Sequence, residues 1–109
     1  MALIHRVYVG HFVPHEGFIR LQDGIPVCEK PLNAQAIARL LARYLGKGIS
    51  LDKVPSNLGI SITPNYIVGN RYGSIKELNV IADYAKQTGA HIVDMGSLMM
   101  LKAEDLASS

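Results

Sequence analysis

The sequence predicts an α/β domain with a small, mainly parallel four-stranded sheet flanked by helices, preceded by an N-terminal strand and hairpin insertion. Three observations carry this expectation. Residues 33–46 and 74–89 each hold a capped, amphipathic helix. The second helix lies between two short apolar runs, Tyr66-Ile67-Val68 and His91-Ile92-Val93. Strand, helix and strand follow within about 28 residues, the spacing of a right-handed crossover between parallel strands.

The totals bound the answer. At 109 residues the chain makes one domain, residues 1–109, and can bury roughly two-thirds of its unfolded surface. With 49% hydrophobic and 18% charged residues it is too apolar for disorder. Its uninterrupted apolar runs are only a few residues long, too short for a membrane-spanning helix. The opening run MALIHRVYVGHF contains His5 and Arg6 and no small-residue cleavage site, so a secretory signal is not expected. Cys28 is the single cysteine; no disulfide framework follows, and a reducing, cytoplasmic setting is the expectation. Net charge is +2, but residues 1–50 carry six Lys/Arg against three acids and residues 51–109 five against six. Between Glu29 and Asp52 stand Lys30, Arg39, Arg43 and Lys47 with no acid among them, a local basic face.

Residues 3–12, LIHRVYVGHF, are rich in β-branched and aromatic types and carry apolar groups at both parities, the pattern of a central strand. Gly10 near its end marks a bulge or a close backbone approach. GFIRLQDGIPVCEK reads as a hairpin turning at Asp23-Gly24, which supply the positive φ of a tight turn. Pro26 cannot donate to a ladder, so the second arm belongs at an edge or in an irregular segment. Asn33 opens the first helix with a side-chain cap worth about 1 kcal/mol, and Leu32 and Ile37 are spaced for a hydrophobic staple. Ile37, Leu40, Leu41, Tyr44 and Leu45 form its apolar stripe, and Gly46 closes it. From Gly48 to Pro64 the signals weaken: GISL is a candidate strand, KVPSNLG a loop, and ISIT a strand stopped by Pro64. Ser74 and Glu77 make a capping box for the second helix. Ile75, Leu78, Ile81, Ala82 and Ala85 face the core, and Gly89 ends it. After Asp94, SLMMLKAEDLA forms a terminal helix capped at Ser97.

From Asn33 onward the order is helix, short strand, loop, strand, capped helix, strand and helix. With a strand before it, this resembles the BRCT domain, a small parallel sheet of four strands with three helices. LLARYLGKGIS stands where that family has a helix ending in a glycine pair before its second strand. NYIVGN and GSIKEL, with Ala82 and Ala85, stand for its third strand and the following helix, and AHIVDMGSLMML for its fourth strand and last helix. The resemblance runs from about residue 33 to residue 101. It implies a non-catalytic binding module making protein–protein or DNA contacts in replication or repair. Two features depart from the family. Val9 stands where phosphate-binding members carry a hydroxyl before the first-strand glycine, and Leu98 and Met99 stand where a large aromatic is usual. Lys76 lies one residue beyond the position of the lysine those members use.

No Ser/His/Asp or Cys/His arrangement names a reaction, so an enzyme is the lesser expectation and no cofactor is called for. The anion candidate is Gly69, Asn70, Arg71, Gly73 and Ser74, a loop entering a helix N-terminus, with Arg71 and Lys76 as charged partners. The loop is neither GxGxxG nor a P-loop, and its glycines serve turn and cap equally well. The candidate for nucleic acid or an acidic partner is Lys30 with Arg39, Arg43 and Lys47; the last three recur at i, i+4, i+8 and are placed to follow phosphates or to form an ordinary solvated face. His5 and His11 share strand parity. His11, His15 and Glu16 are metal-ligating types, but their spacing crosses Pro14 and no second carboxylate or cysteine joins them, so no metal site is expected. Asp94 ends its strand, where α/β sites often lie, without a partner the sequence can name. Three classes stay open. One is the binding module, with protein and/or DNA as partner. Another is a ligand-binding protein or enzyme with a pocket around Gly69–Ser74 and Asp94. The third is a homo-oligomer, such as a homodimer, meeting through Met99, Met100 or the Pro26 edge. No membrane partner is expected.

Overall fold

The computed structural model describes residues 5–46 and 59–107. Strand β1, Arg6–Phe12, is buried at every position after Arg6. Alternation sends Val7 and Val9 to one face of the sheet and Tyr8 and Phe12 to the other. The chain then forms an arm of short strands: β2 (Pro14–His15), β3 (Phe18–Ile19), β4 (Leu21–Gln22) and β5 (Ile25–Pro26), followed by β6 (Cys28–Lys30), which rejoins β1. The arm has two tight turns. Asp23-Gly24 (φ 53° and 78°) is the expected one, and Glu16-Gly17 (φ 49° and 78°) adds a second where one hairpin was expected. At the arm's base three backbone bonds close a ring: Val13 N–H to Val27 O (2.9 Å), Val27 N–H to Arg20 O (2.9 Å) and Arg20 N–H to Val13 O (2.8 Å). Pro26 pairs with Leu21 in the two-stranded sheet of β4 and β5, and its side chain is buried.

Helix α1, Ala34–Leu45, follows its cap as expected: Ala36 N–H donates to Asn33 Oδ1 at 3.1 Å. Ile37, Leu40 and Leu41 are buried, and Tyr44 and Leu45 pack at the margin. β7 (Ser61–Ile62) and β8 (Tyr66–Asn70) come next, then α2 (Ile75–Thr88), β9 (His91–Asp94), β10 (Met99–Leu101) and α3 (Ala103–Ala107). In α2 the core residues are Val80, Ile81, Ala82, Tyr84 and Ala85. Ile75, expected to face the core, is the first residue of α2 and is 68% exposed. The strand expected at residues 48–51, and Lys47, lie outside the described residues.

The sheet runs β10-β9-β1-β8-β7, and every pairing in it is antiparallel. This overturns the expected mainly parallel four-stranded sheet. β8 and β9 run parallel to each other, as their crossover requires, but they are not neighbours. β1 lies between them, with Tyr8 opposite Val68 on one side and Val93 on the other. The crossover is therefore split around an antiparallel strand. The fold implied by the BRCT resemblance is replaced too, since its short apolar motifs fit either strand order.

The terminal helix expected from Ser97 is also corrected. Asp94 Oδ1 accepts the N–H groups of Gly96 (2.8 Å) and Ser97 (3.1 Å), and this local bonding reverses the chain. The returning segment pairs with β9 as β10, and helix α3 starts only at Ala103. Two cores result. On one face Val7, Val9, Ile67 and Ile92 meet α1, α2 and Leu106 of α3; on the other Tyr8, Phe12 and Val93 meet Ile19 of the arm. Each fully buried large apolar side chain contributes about 1.5–3 kcal/mol before chain entropy is subtracted.

Candidate functional site

β1 begins at the end of the sheet where β8 and β9 finish, so three connections meet there. Asp94 is their common acceptor and is 0% exposed. Its carboxylate accepts from His5 Nδ1 (3.1 Å), Arg71 Nη1 (3.2 Å) and the N–H groups of Gly96 and Ser97. Burial alone would push the Asp94 carboxyl up; the bonds from Ser97, His5, Gly96 and Arg71 together outweigh it and hold the group below its ordinary value. His5 donates from Nδ1 to the carboxylate. Its ring meets Tyr72 edge-on, with centroids 5.4 Å apart. Asp94, partnerless in the sequence, thus ties the start of β1 to the loops after β8 and β9. No local signal finds this, because His5 lies 89 positions away.

The anion candidates on the Gly69–Ser74 loop occupy defined places. Ser74 Oγ accepts the Glu77 N–H at 3.1 Å, which is half of the expected capping box. The other half is not formed. Glu77 is buried and sends Oε1 to the Asn70 N–H at 2.8 Å. A Cβ at Gly69 would lie 2.7 Å from Glu77 Oε1, and one at Gly73 2.1 Å from Oε2. Both glycines are there for close approach, and the carboxylate inside the loop is the chain's own. Arg71 turns to Asp94 and is one-third exposed, while Lys76 points outward from the first turn of α2.

Among the basic residues, Arg39 is exposed and Arg43 lies 3.8 Å from Asp83, which also accepts the Tyr44 hydroxyl. Lys30 is exposed on β6 and lines a cleft of about 350 Å³ with His11, Asn33 and Thr88. His11 is buried. The Asn33 N–H donates to Tyr84 Oη (2.8 Å), and Tyr84 Oη shares a second hydrogen bond with His11 Nε2 (2.9 Å). Burial first, then the nearby charges of Lys30 and His91, lower the His11 pKa, with Glu29 opposing. His91 accepts the Phe12 N–H at Nδ1 and stacks on Phe12. His15 is exposed near Glu16. No group of three metal-ligating side chains occurs among the described residues.

The feature that sequence reasoning did not assemble is apolar. Tyr72 (73% exposed) and Ile75 (68%) flank the loop after β8, and Leu98 (60%), Met99 (52%) and Met100 (41%) follow the turn after β9. His5 and Asp94 bring these two segments to one end of the sheet. Comparison with models of known protein families, with characterised proteins and with solved structures gives no match. No helix among the described residues is long and apolar enough to cross a membrane.

Two outcomes follow from the buried groups. Gly69→Ala lowers stability by about 1–3 kcal/mol, and in a Glu77→Ala background part of that cost disappears; urea unfolding of the four proteins of this double-mutant cycle measures the coupling. His11 binds its proton less readily folded than unfolded, so its contribution is full above pH 6.5 and is lost as pH falls towards the lowered folded value. Faced by Tyr84, Lys30, His91 and Glu29, it makes melting temperature drop between pH 7 and pH 5, and His11→Gln flattens that slope.

Proposed function

We propose that the chain is a small non-catalytic binding module of the cytoplasm that works through protein–protein contact, and that the partner its geometry fits is a second copy of itself. One observation carries this: five large apolar side chains stand exposed at the Asp94 end of the sheet, whereas the central strand is buried on both faces. Exposed apolar patches of more than a few hundred Å² mark interaction sites. The patch sits on a frame that Asp94 already holds, so little ordering entropy opposes docking.

β10 adds a second element of recognition. It is the last strand in the sheet order, and no strand among the described residues pairs with its outer side. Unpaired edges with apolar side chains favour strand addition. Antiparallel pairing of β10 with its equivalent about a two-fold axis at Met100 sets Met99 opposite Leu101 of the other copy and continues the sheet through both. The DNA alternative rests on Lys30, Arg39, Arg43 and Lys47, of which Arg43 stands beside Asp83. An anion pocket at Gly69–Ser74 competes with Glu77 for the same loop interior.

Sedimentation across micromolar to millimolar concentrations tests the proposal. A dimer is expected for the native chain, and Leu98→Ser/Met99→Ser weakens it by about tenfold or more. A native chain that stays monomeric throughout contradicts it.

A further inference from the structure

We infer that the sheet face away from the helices holds a separate binding site for an anion carrying a planar ring, a nucleoside phosphate or an aromatic carboxylate, set by Arg6 and Asn70 at one end of a tyrosine-floored cleft. Strand parity builds it. Arg6 and Tyr8 project to this face from β1, and Tyr66, Val68 and Asn70 from β8. The register places Arg6 opposite Asn70 and Tyr8 opposite Val68, and β7 sets Ser61 beside Val68. The arm covers Phe12 and Val93 through Ile19, and its residue at the cleft is Ile25, which is 42% exposed. Between Ile25 and the strands lies a cleft of about 530 Å³, within the range of small-molecule sites.

Its chemistry selects the ligand. Tyr8 and Tyr66 meet edge to face with centroids 5.2 Å apart, and Tyr66 and Val68 remain partly exposed as a floor for a flat ring, with Ile25 above. Among the described residues Arg6 is the one charged side chain in the lining, and none of them places an acid there. Among the described residues no carboxylate pairs with Arg6. Asn70 Oδ1 is engaged by the Tyr72 N–H at 2.9 Å, which leaves its amide NH₂ as the half able to donate. Directly opposed cross-strand residues have Cβ atoms about 5 Å apart, so one phosphate or carboxylate can meet the Arg6 fork and the Asn70 amide together. The Glu77 carboxylate lies behind Gly69 on the helix side and is held by the Asn70 N–H. This site is independent of self-association through β10.

Titration of the full chain, followed by amide chemical shifts and calorimetry, uses four probes: adenosine 5′-monophosphate, adenosine, inorganic phosphate and benzoate. The monophosphate or benzoate binds, and adenosine and phosphate each bind about tenfold or more weaker than the monophosphate. The two binding arms separate a nucleotide from a carboxylate source. Shifts centre on Ser61, Val68 and Asn70. Arg6→Gln weakens binding about tenfold or more, and Ile25→Ser also weakens it; both side chains are exposed, and an unchanged melting temperature verifies the fold. Failure of both ring-bearing anions to bind, affinity unchanged in Arg6→Gln, or shifts centred on Ser74–Glu77 would overturn the assignment.

Discussion

Strand β1 carries large apolar side chains on both faces, and a sheet buries both only when that strand lies inside it. Val7 and Val9 need the helices; Tyr8 and Phe12 need the arm. Placing β1 between β8 and β9 meets both needs and gives it an antiparallel ladder on each side. The remaining architecture follows. α2 crosses from β8 to β9 over the helix-side core, β10 and β7 become the outer strands, and the arm is free to fold back over the far face. Because β8 and β9 end together on either side of the start of β1, the two loops that follow them and His5 converge on one small region.

Two buried carboxylates organise that region. Asp94 gathers His5, Arg71 and the turn after β9, and Glu77 fills the loop after β8. Breaking either would leave donors without partners in a place of low dielectric, which is costly. Loop donors that would otherwise be available to an outside anion are thus used internally. The two proposed surfaces are the apolar rim above the Asp94 knot and the cleft on the sheet face away from the helices, and they differ in chemistry.

Local features were legible in the sequence, and long-range ones were not. Asn33 and Ser74 cap their helices through side chains within three residues, so their chemistry needs nothing from elsewhere. Asp23-Gly24 announces its turn by residue type, whereas Glu16-Gly17 adopts the same geometry with a first residue that does not. The strand–helix–strand spacing from Tyr66 to Val93 is the same whether the two strands touch or are split by a third. Only the distant β1 decides, and nothing near α2 encodes it. The segment Leu98–Leu101 suits strand or helix, and Asp94, by bonding Gly96 and Ser97, selects the strand. At the site, Asp94 was legible as a position and Arg71 as a loop cation, but not as partners. Glu77 was legible as a capping residue, and the meaning of Gly69 and Gly73 emerged only with its carboxylate between them.

The antiparallel placement of β1 is the claim on which both surfaces depend, since it aligns Arg6 with Asn70 and brings the Tyr72 and Leu98 segments to one end. Cross-strand nuclear Overhauser contacts of the labelled chain test it most directly. The account predicts backbone contacts from Val7–Gly10 both to Tyr66–Gly69 and to His91–Asp94, with none directly between Ile67 and Ile92. Direct backbone contacts between Ile67 and Ile92, as in adjacent parallel strands, would contradict it.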